Sequence, residues 1–322
     1  MHKRYRTFGD WIRERYGCRV HKVCVDAGFT CPNRDGTRAV GGCTFCNNEG
    51  FSYNTRRGAR SVREQIQEGM EFIRNRYKAQ RFIAYFQPYS NTYAPIEVLR
   101  SRYDEALSFP EVVALSVGTR PDCVSPAVLD LLEGYAQQWD VWIEYGLQTV
   151  HNRTLVRVNR CDTYENFVQI IEQTVPRPIL ICIHVILGLP GESRADMIET
   201  AQRIAKFPYQ SLKIHLMHVM RDTALADQYR RGEVSVLTRE EYAERVADFL
   251  EYVPADVALQ RLSADAPREV LIAPEWCLNR TETVRAIENT LEQRNTWQGK
   301  KLGFPPPWES APGRLELSGS VR

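Results

Sequence analysis

Apolar residues recur along this chain in two alternating rhythms. Short runs rich in Val, Ile, Phe and Tyr read as buried strands at His21 to Phe29, Arg81 to Gln87, Val112 to Gly118, Asp140 to Gln148, Ile179 to Gly188 and Ser211 to Val219. Between them, apolar positions repeat at helical spacing over Val62 to Tyr77, Ile96 to Ser108, Pro126 to Ala136, Tyr164 to Thr174 and Arg194 to Lys206. Each run ends in a turn rich in Gly, Pro, Asn or Thr. Strict β-α alternation argues for an α/β protein with a parallel sheet covered by helices. Right-handed crossovers curl such a sheet into a full or partial barrel.

Past the sixth unit the rhythm changes. A helix is expected around Arg239 to Tyr252, then a candidate extra strand and loop in "VALQRLSADAP", then a helix in "TETVRAIENTLEQR". From Trp297 the chain reads as loop, and its Pro-rich end resists regular structure. The expected organisation is a basic segment at 1–20, a barrel core at 21–235, a C-terminal α/β extension packed on it at 236–303, and a disordered tail at 304–322.

Composition narrows the class. The 322 residues are 43% hydrophobic and 25% charged, as in an ordinary globular protein. The longest near-apolar run, Ile179 to Leu189, is 11 residues with a His inside it, short of the roughly 20 that a spanning helix needs. The basic opening lacks the apolar segment of a secretory signal, so no membrane association and a cytoplasmic location are expected. There, nine cysteines, an odd number, point to metal ligands or a catalytic thiol rather than to disulfides. The net charge of +2 hides an asymmetry, since residues 1 to 64 hold 13 Lys and Arg against 6 Asp and Glu. With Arg34, Arg38, Arg56, Arg57, Arg60 and Arg63 around the cysteines, this field suits an anionic partner, and equally a solvated surface.

The stretch "CPNRDGTRAVGGCTFCNNEG" places Cys31, Cys43 and Cys46 in a polar loop directly after the first strand. Asp35-Gly36 and Gly41-Gly42 supply turns that let the loop fold back and bring the thiolates together on a metal centre. Structural zinc wants four closed ligands, so Cys24 or His21 would have to complete it. Both lie in the first strand, where Cys24 reads as a small apolar side chain. An iron-sulfur cube held by three cysteines leaves one iron open, whereas clusters that only carry electrons are closed by four protein ligands. The loop also sits at the end where β-α barrels do chemistry. Cys18, Cys123, Cys161 and Cys277 lack ligand spacing and read as structural.

Alternation assigns faces within strands. On the fifth run Cys182, His184, Ile186 and Gly188 share one face, and Ile181, Ile183, Val185 and Leu187 form a helix-packing surface on the other. His184 therefore points into the lumen. Lys213 and His215 share a face on the sixth run as candidate substrate-binding groups, with His218 opposite. "GLPGES" lacks the Lys-Ser/Thr of a phosphate loop and reads as a strand-to-helix turn that lets backbone approach a ligand.

Taken in order, "GFTCPNRDG" and "GGCTFC", "SVGTRPDCV", "EYGLQTVHNRTLVRVNR", "ILGLPGES", "KIHLMHV", "DAPREVLIAPEW" and "WQGK" resemble the radical SAM superfamily. The resemblance is to the branch related to the Elongator catalytic subunit and, within it, to YhcC/YtqA-type proteins; it spans nearly the whole chain. It implies a partial (β/α)6 barrel in which a [4Fe-4S] cluster on Cys31, Cys43 and Cys46 donates an electron to S-adenosylmethionine (SAM). Methionine and a 5′-deoxyadenosyl radical result, and the radical abstracts a hydrogen from substrate. By the same resemblance Gln148 and Arg160 face SAM, Arg160 clamping the methionine carboxylate as a fork. Thr119, Glu144 and His184 join the cofactor site, His184 at the adenosine. Relatives carry a glycine-rich element after the second strand; this chain reads "YFQPYSNTY", which leaves Gln87, Asn91 and Thr92 as alternatives for the methionine amino group.

The resemblance further implies an electron donor such as flavodoxin or ferredoxin, and tRNA as partner. The reaction implied converts a carboxymethylaminomethyl group on the wobble uridine to aminomethyl. Tyr5, Trp11 and Tyr16, interleaved with the N-terminal charges, are expected to stack on bases. No length is left for an acetyltransferase domain, so acetyl transfer is not expected. The competing readings are a radical SAM enzyme with a small-molecule substrate and a zinc-bearing RNA-binding protein.

Overall fold

The computed structural model describes residues 3–47, 55, 60–263 and 266–309. Its elements run α1 (Phe8–Tyr16), β1 (Val20–Val25), α2 (Val62–Tyr77), β2 (Arg81–Phe86), α3 (Ile96–Leu107), β3 (Val112–Thr119), α4 (Pro126–Tyr135) and β4 (Asp140–Gln148). They continue with α5 (Asn152–Arg157), α6 (Tyr164–Thr174), β5 (Leu180–Leu187), α7 (Arg194–Ile204), β6 (Ser211–Leu216), β7 (Val219–Met220), α8 (Ala224–Arg230), α9 (Arg239–Leu250), β8 (Ala258–Arg261), β9 (Leu271–Ala273) and α10 (Arg280–Gln293). Seven strands form one sheet in the order β1-β2-β3-β4-β5-β6-β8, every neighbouring pair parallel. It is a curled partial barrel with β1 and β8 as its edges.

Local chemistry sets the helix starts. Ser61, Ser193 and Thr238 each accept from the backbone three residues on, where Glu64, Asp196 and Glu241 bond back to the cap, closing capping boxes at α2, α7 and α9. In the strands, one parity faces the helices. Val23, Phe82, Leu115, Ile143, Ile183 and Ile214 on that side belong to a single apolar core with Ile66, Leu99, Leu132 and Ile171 from the helices. The other parity faces the lumen, which is how polar side chains such as Glu144, His184 and Lys213 come to sit on buried strands without entering the apolar core.

The extra strand is part of the main sheet. β8 pairs parallel with β6, and Val246, Leu250, Ile287 and Leu291 of α9 and α10 are buried in the same core as the barrel helices. One continuous core thus spans residue 235, the expected junction between the barrel and the extension packed on it. Of the expected tail, residues 310–322 lie outside the described residues. Among the described residues, no helix is long and apolar enough to cross a membrane.

The N-terminal aromatics are spent differently from the sequence expectation. Phe8 and Trp11 of α1 pack edge-on against Trp142 at ring separations of 5.7 and 5.0 Å. Tyr16 Oη donates to Asp140 at 2.6 Å, and Arg15 clamps the same carboxylate at 2.9 and 2.6 Å. Tyr5 is buried and its hydroxyl donates to Glu288 at 3.1 Å. Asp140 opens β4, so α1 seals the N-terminal end of the strands, opposite the cysteine loop. Full burial of such a ring is worth about 2 kcal/mol; Tyr5 is withdrawn from base stacking by burial, whereas Trp11 and Tyr16 stay partly exposed.

Candidate active site

The loop after β1 is folded by its own backbone and stapled across the barrel. The Cys31 carbonyl accepts from the amides of Arg34 and Asp35 at 2.8 and 3.2 Å, and that of Cys43 from the Cys46 amide at 2.9 Å. Asn33 is fully buried and its Nδ2 donates to the carbonyls of Asn159 and Arg160 at 2.6 and 2.9 Å. In return Asn159 Nδ2 donates to the Gly42 carbonyl at 2.9 Å. Arg160 is thereby fixed with Nη2 donating to the Gly146 carbonyl at 2.6 Å and Nη1 3.7 Å from Cys43 Sγ. Gly146 is required here, since an added Cβ would stand 2.9 Å from Gln148 Nε2 and 3.1 Å from Arg160 Nη2.

Cys31, Cys43 and Cys46 line one wall of a cavity of about 240 Å³ that runs down the lumen. Gln87, Thr119, Gln148 and Arg160 line it near the strand ends, and Glu144, His184, Lys213 and His215 line it lower down. Gln148 closes β4 in the left-handed region at φ 73°, an arrangement that a non-glycine residue adopts only under constraint.

Asn91 is not among the residues that line the cavity. Its Nδ2 donates to the carbonyls of Phe86, Pro88 and Gly118 at 3.1, 3.0 and 2.8 Å, so it ties the loop after β2 to the end of β3. Thr92 likewise bonds to Thr119 Oγ1 at 2.6 Å and the Cys123 carbonyl at 2.7 Å. Of the three alternatives in "YFQPYSNTY", Gln87 is the one that lines the cavity. Asn91→Ala is expected to cost about 2–4 kcal/mol, because three buried carbonyls lose a partner. Urea denaturation measures it, and a loss under about 0.5 kcal/mol would show that the loop does not depend on this amide.

Glu144 is the hub of the lower lumen. Its carboxylate accepts from Lys22, Lys213, Ser116 Oγ at 2.7 Å and His184 Nε2 at 2.7 Å, which occupies both oxygens. Burial alone would push its carboxyl up, but Lys213, Lys22 and the His184 hydrogen bond hold it well below the ordinary carboxylate range. Burial, helped by the Lys213 charge, pushes His184 down to about 4, and burial pushes Lys213 down to about 8 against the pull of Glu144. His215 is likewise held well below its ordinary value by burial and by Arg261. Glu144, Cys182 and His184 place donor atoms within 4.8 Å of one another, yet two ammonium groups already neutralise that carboxylate and would repel a metal ion.

Two sequence readings change. His218 lines the cavity instead of facing away, because β6 ends at Leu216 and alternation stops with it. Cys24 is exposed within the lumen, facing Lys213, Lys22 and Arg261, rather than packed as an apolar side chain. His21 stacks on Tyr77 at 5.0 Å. Neither completes a zinc site on the loop.

The donor set fits a cluster. Among the described residues the three loop thiols are not one of the sets whose donors all lie within 4.8 Å, whereas a tetrahedral zinc would draw its sulfurs to about 3.8 Å apart. A cube gripped at three corners holds them wider. As a free thiol Cys46 resists ionising, since burial, then Cys43, pushes it up to about 12, so a bound metal's own charge is what would hold a thiolate there. Beside them Arg160 Nε is buried without a hydrogen-bond partner, as suits a group that awaits an anion. Cys31, Cys43, Cys46 and the fork of Arg160 are thus the residues that would hold cluster and SAM. Cys277 is buried in the apolar core, and Cys123 lies on the short turn Pro121–Cys123, outside the cavity lining.

Sequence reasoning missed several participants. Arg120, only 2% exposed, donates to both Asp122 oxygens at 2.7 and 2.8 Å, and Arg38 joins the pair at 3.0 Å. Asn33, Lys22 and Arg261 were also passed over. A lysine inside a buried parallel strand was a readable signal for Lys22, and "TRPD" for the charged pair; nothing local marked Asn33.

Comparison with known proteins agrees with this geometry. A sequence profile of the Radical SAM superfamily matches residues 31–204, and one of the Radical_SAM C-terminal domain matches residues 209–293. The chain is 39% identical over 298 residues to the uncharacterized protein YtqA of Bacillus subtilis, covering 92% of each. It is 26% identical over 164 residues, 50% of this chain and 30% of the relative, to the tRNA uridine(34) acetyltransferase of Methanocaldococcus jannaschii. The archaeal Elp3 of Methanocaldococcus infernus, with its N-terminus deleted, superposes with a TM-score of 0.66 at 16% identity over 87% of this chain and 64% of that one. With one profile spanning more than half of its length and a relative matched nearly end to end, this chain belongs to the radical SAM superfamily, enzymes that use a [4Fe-4S] cluster and S-adenosylmethionine.

Proposed function

We propose that this enzyme modifies tRNA, converting the carboxymethylaminomethyl side chain of a wobble uridine to the aminomethyl form. When bound, the cluster supplies the electron that splits SAM, drawn from a donor such as flavodoxin or ferredoxin. The chain's own residues enclose and orient. Cys31, Cys43 and Cys46 hold the cluster, Arg160 and Gln148 take the methionine end of SAM, and Gln87, Thr119 and His184 border the remaining space. Lys213 and His215 meet the substrate.

The observation that carries the tRNA reading is the shared half-chain with a relative named for tRNA uridine(34). Charge supports it: Arg34 and Arg120 line the cavity and Arg38 lies beside them at Asp122, cations placed to meet a phosphate backbone. Arg56 and Arg57 lie outside the described residues. The test is mass spectrometry of nucleosides from tRNA of a deletion strain, before and after treatment with the reconstituted enzyme, SAM and reductant. Carboxymethylaminomethyluridine is expected to accumulate without the enzyme and to convert on its addition. SAM cleavage with no change in the wobble nucleoside would overturn the tRNA assignment in favour of a small-molecule substrate.

A further inference from the structure

The lower lumen carries more positive charge than its carboxylate balances. Glu144 is the one acidic residue among those that line the cavity, and Lys22 and Lys213 both already bind it. Arg261 lines the same cavity and is the cross-strand partner of Lys213 in the β6–β8 register. Its guanidinium meets no carboxylate and makes no hydrogen bond among the described residues. Two cations side by side on one lumen face repel, and low surrounding polarity strengthens the repulsion. Next to them His215 Nε2 is buried with no hydrogen-bond partner. An orphaned ring nitrogen, an unpaired fork and an ammonium on adjacent strands converge on one space, whose one lining carboxylate, Glu144, is already held by Lys22, Lys213, Ser116 and His184.

We infer that Arg261, with Lys213 and His215 Nε2, forms a binding site for a substrate carboxylate. The guanidinium receives it as a fork, the most specific geometry a protein offers that group. His215 donates as the Nε2–H tautomer, and Lys213 adds charge while keeping Glu144. Arg160, beside Cys43 on the far wall, remains the fork for SAM. The inference rests on the uridine reading only for what carries the carboxylate. On that reading the site distinguishes the carboxymethylaminomethyl form, which has the carboxylate, from the aminomethyl product, which lacks it and is released.

Binding to the anaerobically reconstituted holoenzyme with SAM present tests this without turnover. The probes are the nucleosides 5-carboxymethylaminomethyluridine and 5-aminomethyluridine, with N-ethylglycine and ethylamine as a pair lacking the base. Wild type is expected to bind each carboxylate-bearing probe at least about tenfold more tightly than its amine counterpart. Arg261→Gln should erase the preference and Arg261→Lys retain part of it, with SAM affinity and thermal stability close to wild type in both. Preference for N-ethylglycine without preference for the nucleoside would uphold the site and sink the uridine reading. Retention of both preferences by Arg261→Gln would overturn the site, and so would a parallel loss of SAM affinity, which would place SAM's own carboxylate there.

Discussion

Cys43→Ala is expected to abolish the visible absorption of the reconstituted cluster and SAM cleavage together, the latter by more than about a hundredfold. Cys43 is the most constrained of the three loop thiols: it is buried, its carbonyl anchors Cys46, and Arg160 and Asn33 aim N–H groups at its sulfur from 3.7 Å. Alanine leaves two thiolates for a cube that the loop offers three, and metal binding falls with the ligand count. Cys277→Ala is the matched control. That thiol is also buried, but in the apolar core, so it should cost about 1 kcal/mol of stability and leave iron content and cleavage intact. Iron and sulfide analysis with electron paramagnetic resonance reads both variants. Normal cleavage by Cys43→Ala would refute the ligand assignment.

Glu144→Ala is expected to lower stability by about 3–5 kcal/mol, since it leaves the buried Lys22 and Lys213 ammonium groups without their anion. The same hub sets the acid response. His184 is held down to about 4 from 6.5, so the unfolded chain takes up that proton first, and its contribution to stability is complete above 6.5 and lost as pH falls towards 4. Glu144 is held below its ordinary 4.5, so its contribution is complete above 4.5 and lost as pH falls further. Lys213, pushed down from 10.5 to about 8, acts at the other end: stability gains as pH rises from 8 through 10.5. Wild type should therefore lose stability steadily below pH 6.5, and in Glu144→Ala the part of that loss below pH 4.5 should disappear. Thermal denaturation across pH measures this. A variant as stable as wild type would mean that the lysines find solvent or another anion.

The family and the cluster loop were legible because their signals are local. The helix over Val62–Tyr77, the helix over Tyr164–Thr174 and the strand over Asp140–Gln148 have the bounds that period alone predicts. Three cysteines in one polar loop announce a metal centre with no need of the fold. Even so, a short strand carries little periodic signal, and β8, four residues long, stood only as a candidate until its pairing with β6 appeared.

What period and motif determined by themselves was the β-α order, the lumen-facing parity of His184, Lys213 and His215, and which loop is the candidate for the metal centre. Only the tertiary structure decided which charges meet. Lys22 and Glu144 are 122 residues apart and Lys22 and Gln260 are 238 apart, joined because curling the sheet points one parity of every strand at a common axis. The same closure buried Tyr5 and packed Trp11 against Trp142, turned Asn91 into a tie between loops and brought His218 and Arg261 to the cavity. Patterns along a chain report which face a side chain takes; which partners share that face depends on strand register and curvature, which arise from contacts between distant segments.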